Sequence, residues 1–190
     1  MSKRSAAFLD RDGTIIRDAS YVRDPRDVVL LPGAADAIRR LNERDIVVIV
    51  VTNQSGIARG LLGTEDYERV RERTESLVAD AGARIEATYM CPHHPEFTGA
   101  CDCRKPGLAL YRRAIADHDL DPRSSVFIGD RWRDVAPAAA LGGHGILLDV
   151  ESTPADDLER ARRESIETAR SLGEAVDDFL ATLPALSPKQ

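Results

Sequence analysis

Two carboxylates one residue apart close an apolar run in Phe8-Leu9-Asp10-Arg11-Asp12-Gly13-Thr14. If residues 5–9 form a buried strand, Asp10 stands at its carboxyl end, where open α/β sheets hold their ligands. Two acids there repel one another and lose hydration, so the pair is costly unless a cation accompanies it. The plain alternative is an acidic turn, since Asp-Gly is a frequent turn dipeptide. Three further segments weigh against that alternative: Thr52-Asn53-Gln54-Ser55, Arg104-Lys105-Pro106 and Gly129-Asp130-Arg131-Trp132-Arg133-Asp134. Each alone reads as a polar loop. Together with Asp10 they supply a carboxylate nucleophile, hydroxyl and amide donors, a cation for equatorial phosphoryl oxygens and acids that hold magnesium. Phosphoryl transfer through a covalent intermediate needs those parts.

A second cluster is Cys91-Pro92-His93-His94-Pro95 followed by Cys101-Asp102-Cys103, which uses all three cysteines of the chain. Two C-x-[HC] pairs of this kind can close a tetrahedral Cys3His zinc site, with His93 or His94 as the imidazole. Four protein ligands leave no position for water, so the expected zinc is structural. The clip ends at Arg104-Lys105, and would hold two cations that otherwise ride on a floppy loop. An odd number of closely spaced cysteines fits a reduced compartment better than a disulfide framework. His118 and His144 have no such partners.

The elements that must position these residues alternate along the chain. Residues 6–9, 46–51, 85–90, 125–128 and 146–150 read as strands, and the β-branched run at 46–51 reads as a central buried one. Between them lie amphipathic segments: Ala34, Ala37, Ile38 and Leu41 at helical spacing, then Thr64 as a cap with Tyr67, Val70, Thr74, Leu77 and Val78 on one face, then Leu108, Tyr111 and Ile115, then residues 133–141. The pattern predicts an α/β fold with a doubly wound, Rossmann-like parallel sheet and helices on both faces. Pro137 requires the helix after Asp130 to start late, kink or be short. After Val150, Thr153-Pro154 opens a segment predicted to be helical to Leu183, with Leu158, Ala161, Ile166, Ala169, Leu172, Val176 and Leu180 as buried positions and a frayed tail over 184–190. The expected organisation is a core over 1–150 and a C-terminal helical segment, 151–190, packed on it.

With 190 residues, 43% hydrophobic and 31% charged, the chain suits one globular domain with a real core. Its longest apolar run is far short of a membrane span, and the basic N-terminus has no apolar signal core behind it, so a cytoplasmic protein without a membrane partner is expected. A net charge of -6 argues against a nucleic-acid partner. A monomer is expected.

The phosphoryl-transfer segments resemble the haloacid dehalogenase superfamily of phosphatases over roughly residues 5–150. Residues 8–14 are similar to its first motif, Thr52 to the second, Lys105 to the third, and Gly129-Asp130 with Asp134 to the fourth. The resemblance implies that Asp10 is the nucleophile that becomes an aspartyl phosphate. Asp12 is implied as general acid and then base, while Thr52 and Lys105 hold the phosphoryl oxygens. Magnesium would be held by the Asp10 carboxylate, the Asp12 carbonyl and Asp130, with Asp134 steadying the loop. For zinc the resemblance favours Cys91, His93, Cys101 and Cys103. One helix and one strand fill the stretch to Thr52, and a helix, a strand and the zinc loop fill the next, so no separate cap domain fits and the site is expected to be open.

Within that superfamily, the zinc-clipped capless members that the chain resembles form two groups, the D-glycero-D-manno-heptose 1,7-bisphosphate 7-phosphatases and the histidinol-phosphate phosphatases. Residues 52–60 with Tyr21-Val22 resemble the heptose group. That resemblance implies a small-molecule sugar bisphosphate substrate in heptose precursor biosynthesis, contacted by Asp18, Tyr21, Thr52, Asn53, Gln54, Ser55, Arg104, Lys105 and Arg131. Arg59, Arg104 and Arg131 are candidates for the distal phosphate. Histidinol phosphate carries a cationic amine and would want acids there. The rival outside enzymes is a zinc-stabilised binding domain without catalysis, which has no use for Asp10, Asp12, Lys105 and Asp130 together.

Overall fold

The computed structural model describes residues 3–184. Six strands form one sheet: β1 (Ala6–Leu9), β2 (Val47–Asn53), β3 (Ala87–Cys91), β4 (Val126–Gly129), β5 (His144–Leu148) and β6 (Glu167–Ala169). Their order is β3-β2-β1-β4-β5-β6, and every neighbouring pair is parallel. Parallel strands are buried on both faces, which is why β1, β2 and β4 read as unbroken apolar runs. Alternate side chains serve opposite faces. Ala7, Leu9, Val48, Val50 and Ile128 pack on one side, while Ala6, Phe8, Val47, Ile49 and Phe127 pack on the other.

The helices are α1 (Ala34–Glu43), α2 (Ser55–Ala58), α3 (Thr64–Asp80), α4 (Pro95–Thr98), α5 (Ala109–Asp117), α6 (Trp132–Val135), α7 (Pro137–Leu141), α8 (Ala155–Arg163) and α9 (Leu172–Thr182). Ala34, Ala37, Ile38 and Leu41 of α1, Val70 and Val78 of α3, and Leu172, Ala175, Val176 and Phe179 of α9 cover the first face. Leu110, Tyr111 and Ala114 of α5 and Ala138 of α7 cover the second. Each fully buried Leu, Ile or Phe in these layers contributes roughly 1.5–3 kcal/mol of transfer free energy. No domain stands over the carboxyl edge among the described residues, and no helix there is long and apolar enough to cross a membrane.

The C-terminal part differs from the helical cover expected after Val150. It is helix, strand, helix: α8 ends at Arg163, Ser165 with a φ of 55° turns the chain, and β6 then adds a sixth strand beside β5. Ile166 and Ala169 therefore lie at and within a strand, not on a helix face. Three residues are too few to display a period of two, so the pairing with β5 decides what the local sequence cannot. Pro137 resolves the difficult helix by splitting it into α6 and α7, with the proline in the first turn of α7, where its missing N–H costs nothing. Thr64 does not cap α3. Gly63 holds that position, and its N–H is taken by the Asp66 carboxylate at 2.8 Å. The expected fraying over 184–190 falls, beyond Pro184, outside the described residues.

Candidate active site

The sheet order reverses between β1 and β4, so the connections leaving their carboxyl ends diverge and open a crevice. An open cleft of about 220 Å³ lies there, walled by residues 10–12, Asp18 and residues 20–22, by Thr52, Asn53, Gln54 and Ser55 at and after the end of β2, and by Lys105, Asp130, Arg131 and Arg133.

Lys105 is the centre of the floor. Only 3% exposed, its ammonium donates to Asp10 Oδ1 at 2.7 Å and to the Val51 carbonyl at 2.6 Å, and it pairs with Asp134 Oδ1 at 2.8 Å. Burial by itself would depress this lysine, but the Asp10 and Asp134 carboxylates outweigh burial and hold its pKa above the usual value. Asn53, the last residue of β2, fixes the Lys105 backbone. Its Oδ1 accepts from the Lys105 N–H at 3.0 Å, and its amide donates to the Lys105 carbonyl at 3.3 Å. Asp10 itself is anchored across the crevice by its N–H on the Ile128 carbonyl, 3.0 Å away.

The Asp12 carboxylate points elsewhere, toward a clamp of its own. Gln54 Nε2 donates to Asp12 Oδ2 at 2.7 Å and to Thr52 Oγ1 at 2.9 Å, tying the end of β2 to the turn after β1. On its other side Arg11 donates to both oxygens of Asp12 from Nε and Nη2, at 2.9–3.2 Å. Arg11 is buried and its guanidinium lies over the Tyr67 ring. In the adjoining loop, Asp18 accepts the Ser20 N–H at 3.1 Å, while Ser20 and Tyr21 take φ of 48° and 64°. Such left-handed residues in succession are a local strain that clusters at binding sites.

Asp10, Asp130 and Asp134 bring carboxylate oxygens within 4.8 Å of one another, all three residues buried. Asp130 Oδ2 accepts from Ser152 Oγ at 2.7 Å, whereas its Oδ1 is buried without a hydrogen-bond partner. Burial first, then the Asp10 and Asp134 charges, push the Asp130 carboxyl up to about 7. A Cβ on Gly13, whose φ is 81°, would come within 2.4 Å of Asp130 Oδ2, so only glycine lets the turn and this carboxylate approach. An all-oxygen donor set with one orphaned buried oxygen fits a small hard dication such as magnesium. Asp134 comes closer to this cluster than a loop-steadying role suggested, and it also accepts the Arg131 N–H at 3.0 Å.

Beside the cleft, Cys91, His93, Cys101 and Cys103 place their donor atoms within 4.8 Å of one another. Sulfur separations of 3.0–3.8 Å among the three thiols suit thiolates around one tetrahedral ion. His94 is turned away, its Nδ1 accepting the Glu96 N–H and its Nε2 facing Arg59 Nη2 at 2.9 Å. Arg104 does not line the cleft, for its Nη1 is held on the His93 carbonyl at 3.1 Å. Burial, followed by the charges of Arg133 and Arg59, holds Arg104 below the ordinary arginine value. Among the described residues no carboxylate lies within 4.0 Å of the Arg59, Arg104 or Arg133 guanidinium, although the Arg133 charge acts on Asp134, and the Nε atoms of Arg59 and Arg133 are buried without partners.

The expected substrate contacts Asp18, Tyr21, Thr52, Asn53, Gln54, Ser55, Lys105 and Arg131 thus share one cleft. Arg11, Arg133 and Ser152 complete its surroundings without having been singled out. Arg11 and Arg133 lay inside motif segments but carried no separate signal, and Ser152 lay outside every motif.

A family model described as HAD-hydrolase-like matches residues 102–175. The D-glycero-beta-D-manno-heptose-1,7-bisphosphate 7-phosphatase of Escherichia coli O6:H1 is 35% identical over 177 residues, covering 90% of this chain and 93% of that protein. The protein of the same name from Haemophilus ducreyi is 38% identical over 144 residues, 73% of this chain and 79% of its own. Among solved structures, a D,D-heptose 1,7-bisphosphate phosphatase from B. bronchiseptica, complexed with magnesium and phosphate, superposes with a TM-score of 0.83. It is 31% identical and covers 94% of this chain and 99% of its own.

Proposed function

The chain belongs to the heptose 1,7-bisphosphate 7-phosphatase family of HAD-like hydrolases, and from that membership we propose that it removes the 7-phosphate of D-glycero-D-manno-heptose 1,7-bisphosphate in heptose precursor biosynthesis. It is a phosphoric monoester hydrolase. The observation that carries the substrate class is the pairing of a lysine-centred carboxylate floor with a group of arginines at its side that have no carboxylate at ion-pair distance.

In the proposed reaction an Asp10 oxygen attacks the 7-phosphorus and the bond to the sugar oxygen breaks. Asp12 gives its proton to that departing oxygen, then takes a proton from water as the water attacks the phosphorus and frees Asp10. A carboxylate serves as nucleophile at neutral pH because it is already ionised. Gln54 and Arg11, at 2.7 Å and 2.9 Å from Asp12, aim its carboxylate and keep it clear of the three-acid cluster. Lys105 and the Thr52 hydroxyl hold equatorial oxygens of the transferring group. Magnesium at Asp10, Asp130 and the Asp12 carbonyl would neutralise the phosphoryl charge and screen Asp10 from the anionic substrate. Zinc on Cys91, His93, Cys101 and Cys103 would hold the loop that delivers Arg104 and Lys105.

Arg133 on the cleft wall, with Arg104 and Arg59 behind it, supplies the positive potential a second phosphate needs, and Arg131 adds to it a charge it shares with Asp130 at 3.4 Å and Asp18 at 3.9 Å. A cationic amine in that place would meet the same charge, which favours a bisphosphate over histidinol phosphate. The cleft is complete within one chain, in keeping with a monomer, and a site built on reduced cysteines suits the cytoplasm.

Phosphate release with magnesium, compared by kcat/KM for both anomers of the heptose bisphosphate and for histidinol phosphate, tests the proposal. A preference of about a hundredfold for a bisphosphate anomer, some 2.7 kcal/mol of transition-state binding, is expected. Equal, slow turnover of all three would refute the substrate and leave the phosphatase chemistry.

A further inference from the structure

The loop after β5, residues 149–154, belongs to no motif, yet it reaches the carboxylate cluster. Ser152 Oγ donates to Asp130 Oδ2 at 2.7 Å, and a Cβ on Gly13 would come within 3.1 Å of that hydroxyl. One Asp130 oxygen is thereby fixed by the protein, while the other is the buried one with no partner. The terminal torsion of an aspartate is broad, so the contacts on Oδ2 decide which way this carboxylate faces, and there the Ser152 hydroxyl at 2.7 Å is the hydrogen bond while the Arg131 Nε stands farther off at 3.4 Å.

The loop that carries the hydroxyl is itself fixed. Thr153 Oγ1 donates to the Leu148 carbonyl at 2.6 Å and accepts the Val150 N–H at 3.2 Å, and the Asp149 N–H donates to Ala169 of β6 at 2.7 Å. The following helix grips the other side of the Asp130 turn. Asp157 accepts the Trp132 backbone N–H at 2.9 Å, Glu164 accepts the indole N–H at 2.8 Å, and the Arg160 guanidinium stacks on the indole, 3.2 Å from its centroid.

We propose that Ser152 is a positioning residue that orients Asp130 for the cation, and that residues 149–164 thereby set the affinity for magnesium. The inference rests on magnesium at Asp130, as proposed above. It gives the C-terminal segment a task in the site beyond covering the sheet. Residues behind a metal's direct ligands typically change affinity 10–100-fold when removed.

Trp132 is the single tryptophan of the chain and sits two residues from Asp130. Magnesium is titrated into the full chain, zinc kept in place, with Trp132 emission and calorimetry as binding readouts. For Ser152→Ala the magnesium Kd rises at least about tenfold. Its melting temperature without magnesium falls by only a few degrees, the loss of one part-buried hydrogen bond. Ser152→Thr, which keeps the hydroxyl, recovers most of the affinity. A Kd for Ser152→Ala within about twofold of the parent overturns the inference, as does a Ser152→Thr that binds no better than the alanine variant. Absence of magnesium binding to the parent in both readouts would overturn the cation site itself and this inference with it.

Discussion

Replacing Asp130 by asparagine should stabilise the magnesium-free protein while abolishing its activity. The carboxyl is 1% exposed and is pushed up to about 7 by burial and by Asp10 and Asp134. An ordinary aspartate titrates near 3.9, so keeping Asp130 ionised above pH 7 costs the fold about 4 kcal/mol at about 1.4 kcal/mol per pH unit. Relaxation and water entry bring the expected figure nearer 2 kcal/mol. The sign follows from proton uptake: the folded protein holds this proton more tightly than the unfolded chain. The stabilising contribution is therefore complete below about pH 4 and is lost as pH rises through about 7. Asparagine keeps an acceptor for Ser152 but carries no charge. Urea unfolding with zinc retained and magnesium withheld should give a difference of about 1 kcal/mol at about pH 4.5 that grows with pH, with Asp130→Asn more stable by about 2 kcal/mol at pH 8. Adding magnesium at pH 8 should reverse the order, because the parent gains about 2.7 kcal/mol at a hundredfold excess over Kd and the variant gains little. A difference that does not vary with pH, or a variant less stable at pH 8 without magnesium, would refute the claim that uncompensated charge dominates this cluster.

Asp10→Asn should lower turnover by about 10³-fold or more in a phosphate-release assay, with circular dichroism unchanged, because it removes the nucleophile and little packing. Cys101→Ser should lose zinc by metal analysis and lower the melting temperature, with activity falling as a consequence; unchanged zinc content would mean a different ligand set. Arg133→Ala should raise KM for the heptose bisphosphate about tenfold and for the 7-monophosphate much less, the worth of one charged hydrogen bond being about 1.5–3 kcal/mol. Equal effects on both would place Arg133 away from the distal phosphate. Gly13→Ala should cost about 1–3 kcal/mol in chemical unfolding, since its Cβ would meet Asp130 Oδ2 at 2.4 Å in a left-handed turn.

Much of this site is legible from sequence because its parts are local and the fold is periodic. Asp10, Thr52 and Asp130 each follow an apolar run, and in a parallel sheet all such runs deliver their next residue to the same edge. Lys105 is legible through its motif and through the cysteine pairs beside it, whose spacing already restricts the ligands to a few atoms. His93 and His94 were not separable by spacing; the chain's path turns His93 toward the thiols and His94 toward Arg59.

The sequence by itself determined the alternation of strands and helices, the order in which the chemical groups arrive at the sheet edge, and the donor types available for two metals. Those properties depend on residue type and short-range period. Tertiary structure alone decided that residues 167–169 are a strand, since that state exists only through pairing with β5. It also decided that Arg104 turns to the His93 carbonyl while Arg133 faces the cleft, that Arg11 grips Asp12, and that Ser152 reaches Asp130. Each of these turns on distances between loops, where no periodicity constrains direction and a residue's neighbours are chosen by the packing of the whole.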